Sequence, residues 1–257
     1  MTCSSSNHII QGFWQGPFTT MERLCVESFM QNGHELRLYC YEKPEGVPEG
    51  VCIMDANEIL PESQVSTFRC STHFSDFFRV NLLLKRGGWH TDLDNVLLHA
   101  LDDEAFSASY CFYRDHDEST ISLALSKCPP GSPLMQHCVG YIGRMGQAER
   151  EQLSWQAIGP DFTHGAIEHF KLTEFAQPGY VFDPVHWSRA HDLVNPAAEF
   201  DLSRSYSVHL FHAAWNDGPQ DRYGKGWDLG QPSSEKIWTD GTYHPDCLYE
   251  KLKRRYI

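Results

Sequence analysis

Two short acidic patterns hold the side chains best suited to chemistry. Asp92 and Asp94 stand two apart in Trp89-His90-Thr91-Asp92-Leu93-Asp94, just after Gly87-Gly88, and Asp76 and Arg79 stand three apart in Asp76-Phe77-Phe78-Arg79. In an extended segment Asp92 and Asp94 point to one side while Leu93 points into a sheet. Carboxylates so placed can share a hard divalent cation, Mg²⁺ or Mn²⁺, directly or through a water, and such a cation can bridge the oxygens of a diphosphate. Two aspartates one residue apart arise often by chance, but a Gly-Gly strand start and apolar flanks sharpen this pair. On a helix Asp76 and Arg79 share a face, so among so many phenylalanines they are either a structural ion pair or ligands projecting into a site.

The elements that must position these groups follow from patterning. Ile9 to Trp14 is a β-favouring run closed by Gln15-Gly16-Pro17, and Thr19 with Glu22 has the spacing of a capping box ahead of a helix that stops at Asn32-Gly33. Leu36 to Tyr41 alternates with period two, so strand, helix and strand form a βαβ unit and imply a parallel sheet covered by helices. Val51 to Asp55 reads as another strand. Phe74 to Arg86 suits a largely buried helix ended by Gly87-Gly88. No G-x-G-x-x-G or Walker pattern follows any of these strands, so a phosphate ligand would have to be neutralised in some other way.

Downstream, Ile121 to Leu125 reads as a strand, and Pro129-Pro130-Gly131-Ser132-Pro133 breaks the chain before a helix starting near Leu134. Ile158-Gly159-Pro160-Asp161-Phe162-Thr163 is a turn opening a helix, with Asp161 either a plain cap or a functional carboxylate. Val181 to Val185 looks like a strand or rim segment, and Ser207 to His212 like a further β run. Residues 216–246, rich in Gly, Asp, Pro and Trp, suggest a long irregular lid or acceptor-side segment. Leu248 to Tyr256 is a basic helix whose Lys251, Lys253, Arg254 and Arg255 form a solvated face or a peripheral contact with an anionic membrane.

The 257 residues, 41% hydrophobic and 21% charged, can bury the core of one large domain or two small ones, and the formal charge of −13 argues against a nucleic-acid partner. Nine cysteines without a C-x-x-C pair read as buried free thiols in a reducing compartment. Neither a signal sequence nor a membrane span is evident, which points to a cytoplasmic chain, at most peripheral to the inner membrane face.

The block FSDFFRVNLLLKRGGWHTDLD resembles the Ser-Asp-x-x-Arg, Gly-Gly, Asp-x-Asp signature of the DXD-motif glycosyltransferases of family 32, and a related block occurs in large glucosylating toxins. IIQGFWQG, IGPDFTHGA and VHLFHAAW match further family elements in the right order, so the resemblance spans residues 9–215. It implies an α/β GT-A fold: a Rossmann-like, mainly parallel sheet flanked by helices, with a smaller acceptor-side part. It also implies one domain over residues 1–257, with a nucleotide-sugar half at 1–100 and an acceptor half at 101–257. The implied reaction is retaining transfer of a hexose from a nucleotide sugar, above all a UDP-hexose, to a glycan or lipid-linked glycan in surface polysaccharide synthesis. Asp92, Asp94 and His209 would hold Mn²⁺ or Mg²⁺; Asp76 and Arg79 would bind the donor sugar and its phosphate; Trp215 would lie over the diphosphate; and Gln11, Phe13 and Trp14 would form the base and ribose pocket. His90 stands where tyrosine is more usual, and His212 to Ala214 replace an Ala-Gly-Ser run. Asp161 is the carboxylate to test first as a catalytic nucleophile. A metal-dependent phosphohydrolase using the same carboxylates, or a catalytically silent nucleotide-sugar-binding module, are the alternative readings.

Overall fold

The computed structural model describes residues 7–101, 104–215 and 237–257, so residues 216–236 of the expected lid lie outside the described residues. The chain opens as β1 (Ile9–Phe13), α1 (Thr20–Gln31) and β2 (Glu35–Cys40), followed by β3 (Cys52–Asp55). The capping box forms: the Glu22 carboxylate accepts from the Thr19 backbone N–H at 2.5 Å, and the Thr19 hydroxyl accepts from the α1 backbone. Next come α2 (Ser71–Arg86), β4 (Gly88–Thr91), β5 (Asn95–Leu97), β6 (Cys111–Arg114) and β7 (Ile121–Cys128). Helix α2 begins before Phe74 because Cys70 supplies its N-cap, and it ends at Gly87, whose φ of +63° a side chain would resist. Helices α3 (Pro133–Gly143), α4 (Gln147–Glu151) and α5 (Pro160–His169) precede β8 (Ala176–Gln177), α6 (Gly179–Phe182), β9 (Ser207–His209) and α7 (Leu248–Tyr256). The segment around Val181 is thus a short helix and not a strand.

Seven strands form one sheet in the order β3-β2-β1-β4-β7-β6-β8, parallel from β3 through β4 and again between β6 and β8, with β7 antiparallel to both its neighbours. Both halves of the chain contribute strands to it. Alternate residues serve opposite faces: Tyr39 and Phe112 join Phe74, Phe78 and Met135 beneath α2, α3 and α5, whereas Leu36, Leu38 and Tyr113 pack with Cys25 and Phe29 of α1. A third cluster places Tyr249, Leu252 and Tyr256 of α7 against Val96, Val208 and Trp215, around the separate β5–β9 ribbon.

The cysteines among the described residues are unpaired, and all but Cys52 are buried. Among the described residues no helix is long and apolar enough to cross a membrane. On α7, Lys253 pairs with Glu250, Arg255 donates to the Leu98 carbonyl, and Lys251 and Arg254 are exposed.

Candidate active site

A cavity of about 430 Å³ opens where β4 and β6 end, at the carboxyl edge of the parallel strands. That size suits a small-molecule ligand, and that edge is where open α/β sheets bind one. Asp76, Arg79, Asp92, Asp94 and His209 all line it, so residues distant in sequence meet there. Asp115, Asp117 and Asp183 line it too, so that among the described residues six carboxylates face the single guanidinium of Arg79.

Arg79 is held between two of these carboxylates. Its Nη1 lies 3.0 Å from Asp76 Oδ1 and its Nη2 2.6 Å from Asp92 Oδ2, so the helical ion pair is also part of the cavity wall. Burial raises the Asp76 carboxyl to about 6, with Arg79 opposing the rise and Asp92 adding to it. Burial also pushes Asp92 up, against the pull of Arg79. Asp76 sits at the start of α5 because Gly159 has no side chain there: a Cβ on Gly159 would lie 2.9 Å from Asp76 Oδ2. His90 is buried beside them, its Nε2 3.7 Å from Asp92 Oδ1, and burial reinforced by Arg79 lowers its pKa and keeps it neutral.

The Asp92–Asp94 segment is not the extended stretch that the alternation suggested. The strand ends at Thr91, and the chain turns through Leu93 and Asp94 before β5 begins. The Asp92 backbone N–H donates to the Ala124 carbonyl at 2.7 Å, and the Asn95 N–H returns to the Asp92 carbonyl at 3.3 Å. Leu93 pins the turn to the sheet over Gly12, where a Cβ would stand only 2.7 Å from its methyl group. Leu93 does point inward, as expected, but it is the turn that delivers both carboxylates to the cavity.

The ribbon completes the arrangement. Pairing of β5 with β9 sets Asn95 opposite His209 and brings His209 Nε2 to 3.3 Å from Asp94 Oδ2, an oxygen that also accepts the His212 backbone N–H at 3.0 Å. Burial opposes both charges, but their attraction prevails: Asp94 falls to about 2 and His209 rises to about 9. The other Asp94 oxygen, Oδ1, is buried and has no hydrogen-bond partner among the described residues. Phe211, which lines the cavity and packs on His209 with ring centres 4.1 Å apart, has a φ of +56°, uncommon for a bulky residue and typical of strain held at a functional site. No three His, Cys, Asp or Glu side chains among the described residues form a ready metal cage.

Several expected contributors lie elsewhere. Gln11 is buried and donates its amide to the Gly87 carbonyl at 2.7 Å, bracing β1 against the end of α2. Phe13 stacks on Phe78 in the core with ring centres 4.0 Å apart. Trp14 bonds the Pro17 carbonyl and meets His212 edge-on, outside the cavity lining. Trp215 donates its indole N–H to the Leu210 carbonyl and packs on Tyr249, so the lining at that point comes from Ala213 and Ala214 instead. Asp161 is exposed on the first turn of α5, and its neighbour Pro160 lines the cavity in its place. The carboxylate that sequence reasoning missed is Asp183, which is 3% exposed and which burial raises to about 7. A lone acid inside the apolar run Val181-Phe182-Asp183-Pro184-Val185 was the available signal.

No protein-family model and no curated protein matches the chain, the family 32 block notwithstanding. Among solved structures it is similar to the PaToxG glycosyltransferase, with 13% identity over 65% of this chain and 70% of that one and a TM-score of 0.45. It is similar to the glycosyltransferase GlyE of Streptococcus pneumoniae TIGR4, with 9% identity over 84% of this chain and 57% of that one and a TM-score of 0.48. It is also similar to the galactosyltransferase LgtC, solved with donor and acceptor sugar analogs, with 8% identity over 96% of both chains and a TM-score of 0.48. Likenesses this loose decide nothing about the residues of the cavity.

Proposed function

We propose that the chain is a metal-dependent glycosyltransferase of the GT-A type that moves a hexose from a UDP-hexose to a glycan acceptor. One observation carries the reading. Asp76 and Arg79 of α2 and Asp92 and Asp94 of the β4–β5 turn converge on one cavity at the carboxyl edge of a parallel sheet, with a buried Asp94 oxygen left unpartnered. A diphosphate would be repelled from such an acidic wall, so the residues fit a site that admits its anion together with a divalent cation. Asp94 and Asp92 would hold Mn²⁺ or Mg²⁺, with His209 beside Asp94 able to join them once it gives up its proton. When bound, that cation would supply charge neutralisation for the departing diphosphate.

The chain's own residues do the rest. Asp76, fixed by Arg79 and by the start of α5, presents its carboxylate to sugar hydroxyls, and Arg79 adds positive charge near the leaving group while opposing the upward push of burial on Asp92. Trp14, at the end of β1, remains available to the base, whereas Gln11, Phe13 and Trp215 position the walls. Retention of anomeric configuration, which the family resemblance implies, is read directly from the product's anomeric proton by NMR.

The deciding experiment follows UDP release from a panel of UDP-hexoses with and without Mn²⁺. Metal-dependent release is expected from the wild type and should vanish in the Asp92→Ala/Asp94→Ala double variant. Unchanged turnover in that variant removes the metal assignment. Orthophosphate release from simple phosphomonoesters, with UDP-sugars left intact, replaces the transferase reading with phosphohydrolase chemistry.

A further inference from the structure

Asp183 lies apart from the donor motifs, just after α6, yet lines the same cavity. Its Oδ1 is buried and has no hydrogen-bond partner among the described residues. A buried carboxylate oxygen is costly to leave unsatisfied, and the group that satisfies it must bring a donor hydrogen. The nearby acid Asp115 differs: its oxygens already accept the Thr120 N–H at 2.9 Å and the Ser119 hydroxyl at 3.1 Å, closing the β6–β7 loop on itself. Asp183 takes a backbone hydrogen bond from His116, yet its buried Oδ1 still has an open acceptor position on this side.

The surroundings restrict what can fill it. Trp187, which also lines the cavity, is 42% exposed and offers a flat apolar surface beside His186, whose Nε2 stands 3.6 Å from Asp117 Oδ2. Among the described residues no lysine lines this cavity, and the arginine that does, Arg79, is already shared between Asp76 and Asp92. Among the described residues the carboxylates Asp115, Asp117 and Asp183 on this side would repel a phosphate, whereas a buried acceptor oxygen and an aromatic face lining one cavity suit a ring that carries hydroxyls on its edge and C–H groups on its face.

We propose that the part of the cavity floored by Asp183 and rimmed by Trp187 is the acceptor subsite, and that it selects an uncharged glycan end, with Asp183 accepting a hydrogen bond from an acceptor hydroxyl. The proposal rests on the glycosyl-transfer reading and narrows it, since a phosphate-bearing acceptor is turned away.

The test uses the full chain loaded with UDP and Mn²⁺ and measures binding of methyl glucoside, methyl galactoside, methyl mannoside and the three matching hexose 6-phosphates by saturation-transfer NMR. At least one methyl hexoside should bind and its 6-phosphate should not. Asp183→Ala should weaken that binding by about tenfold or more, and Trp187→Ala, at a residue 42% exposed, should do likewise, while UDP affinity stays within about twofold. The subsite assignment is overturned if no methyl hexoside binds, if the phosphates bind equally well, or if Trp187→Ala and a folded Asp183→Ala bind as the wild type does. If wild-type protein fails to bind UDP with Mn²⁺ at all, the transferase reading falls first and takes the subsite with it.

Discussion

Replacing Arg79 by methionine would show whether the ion cluster is a structural necessity of the site. Arg79 touches Asp76 at 3.0 Å and Asp92 at 2.6 Å, and the three side chains are only 10%, 7% and 25% exposed. At an effective dielectric constant of about 20, each contact near 3 Å corresponds to ~5 kcal/mol of attraction, most of which desolvation offsets. Removing the cation alone strands two buried carboxylates, and Arg79→Met should cost ~3–5 kcal/mol at pH 8. The cost should shrink as pH falls. Burial already raises Asp76 to about 6, and without Arg79 both carboxyls rise further, so the folded state binds more protons than the unfolded chain and loses stability as pH climbs from about 4 through those raised values. Urea unfolding followed by circular dichroism at pH 5 and pH 8 measures both quantities. The triple variant Asp76→Asn/Arg79→Met/Asp92→Asn, which removes every charge together, should recover most of the loss. A penalty below ~1 kcal/mol at pH 8, or one equal at both pH values, would mean that water in the cavity already screens these charges and that Arg79 does not hold the wall together.

Gly159→Ala should push Asp76 away from the start of α5, because the new Cβ would stand 2.9 Å from its Oδ2. Donor turnover should fall by about tenfold or more with a fold that melts within a few degrees of the wild type, and unaltered turnover would show that the position of Asp76 is unimportant. His209→Gln should flatten the pH dependence of stability. His209, raised to about 9, contributes fully below pH 6.5 and loses its contribution as pH rises through 9; Asp94, lowered to about 2, contributes above its ordinary value near 3.8 and loses it as pH falls through 2. Thermal melts from pH 2 to pH 10 that superimpose for wild type and variant would refute the pair.

The sequence made the sheet legible where signals were local and mutually consistent. Thr19 and Glu22 announce α1, period-two alternation marks β2, and Gly87 ends α2, each through interactions spanning a few residues. The motif residues of α2 and of the Asp92–Asp94 turn were legible as a group through the family resemblance, while the glycine stop marked only where α2 ends. What could not be read depended on long-range partners. Gln11 and Phe13 occupy the first strand as expected, but neighbours at Gly87 and Phe78 assign them to bracing and core. Asp161 lies one position beyond the residue that reaches the cavity, a distinction that α5 sets by its rotation and that sequence spacing alone leaves open. Asp183 was hidden because the apolar run around it suits a strand as well as it suits the four-residue helix that forms there.

The β5–β9 ribbon has a consequence for the order of assembly. Because Asn95 pairs with His209, closing the Asp94 side of the cavity requires a contact across more than a hundred residues of chain, with the slow loop closure that such a separation imposes. The first hundred residues can arrange the parallel strands by local steps, yet Asp94 gains its histidine partner and the His212 amide only after β9 docks. During synthesis, the donor-binding competence proposed above would therefore arise late. A nascent chain would carry Asp76, Arg79, Asp92 and Asp94 well before the Asp94 side of the cavity closes.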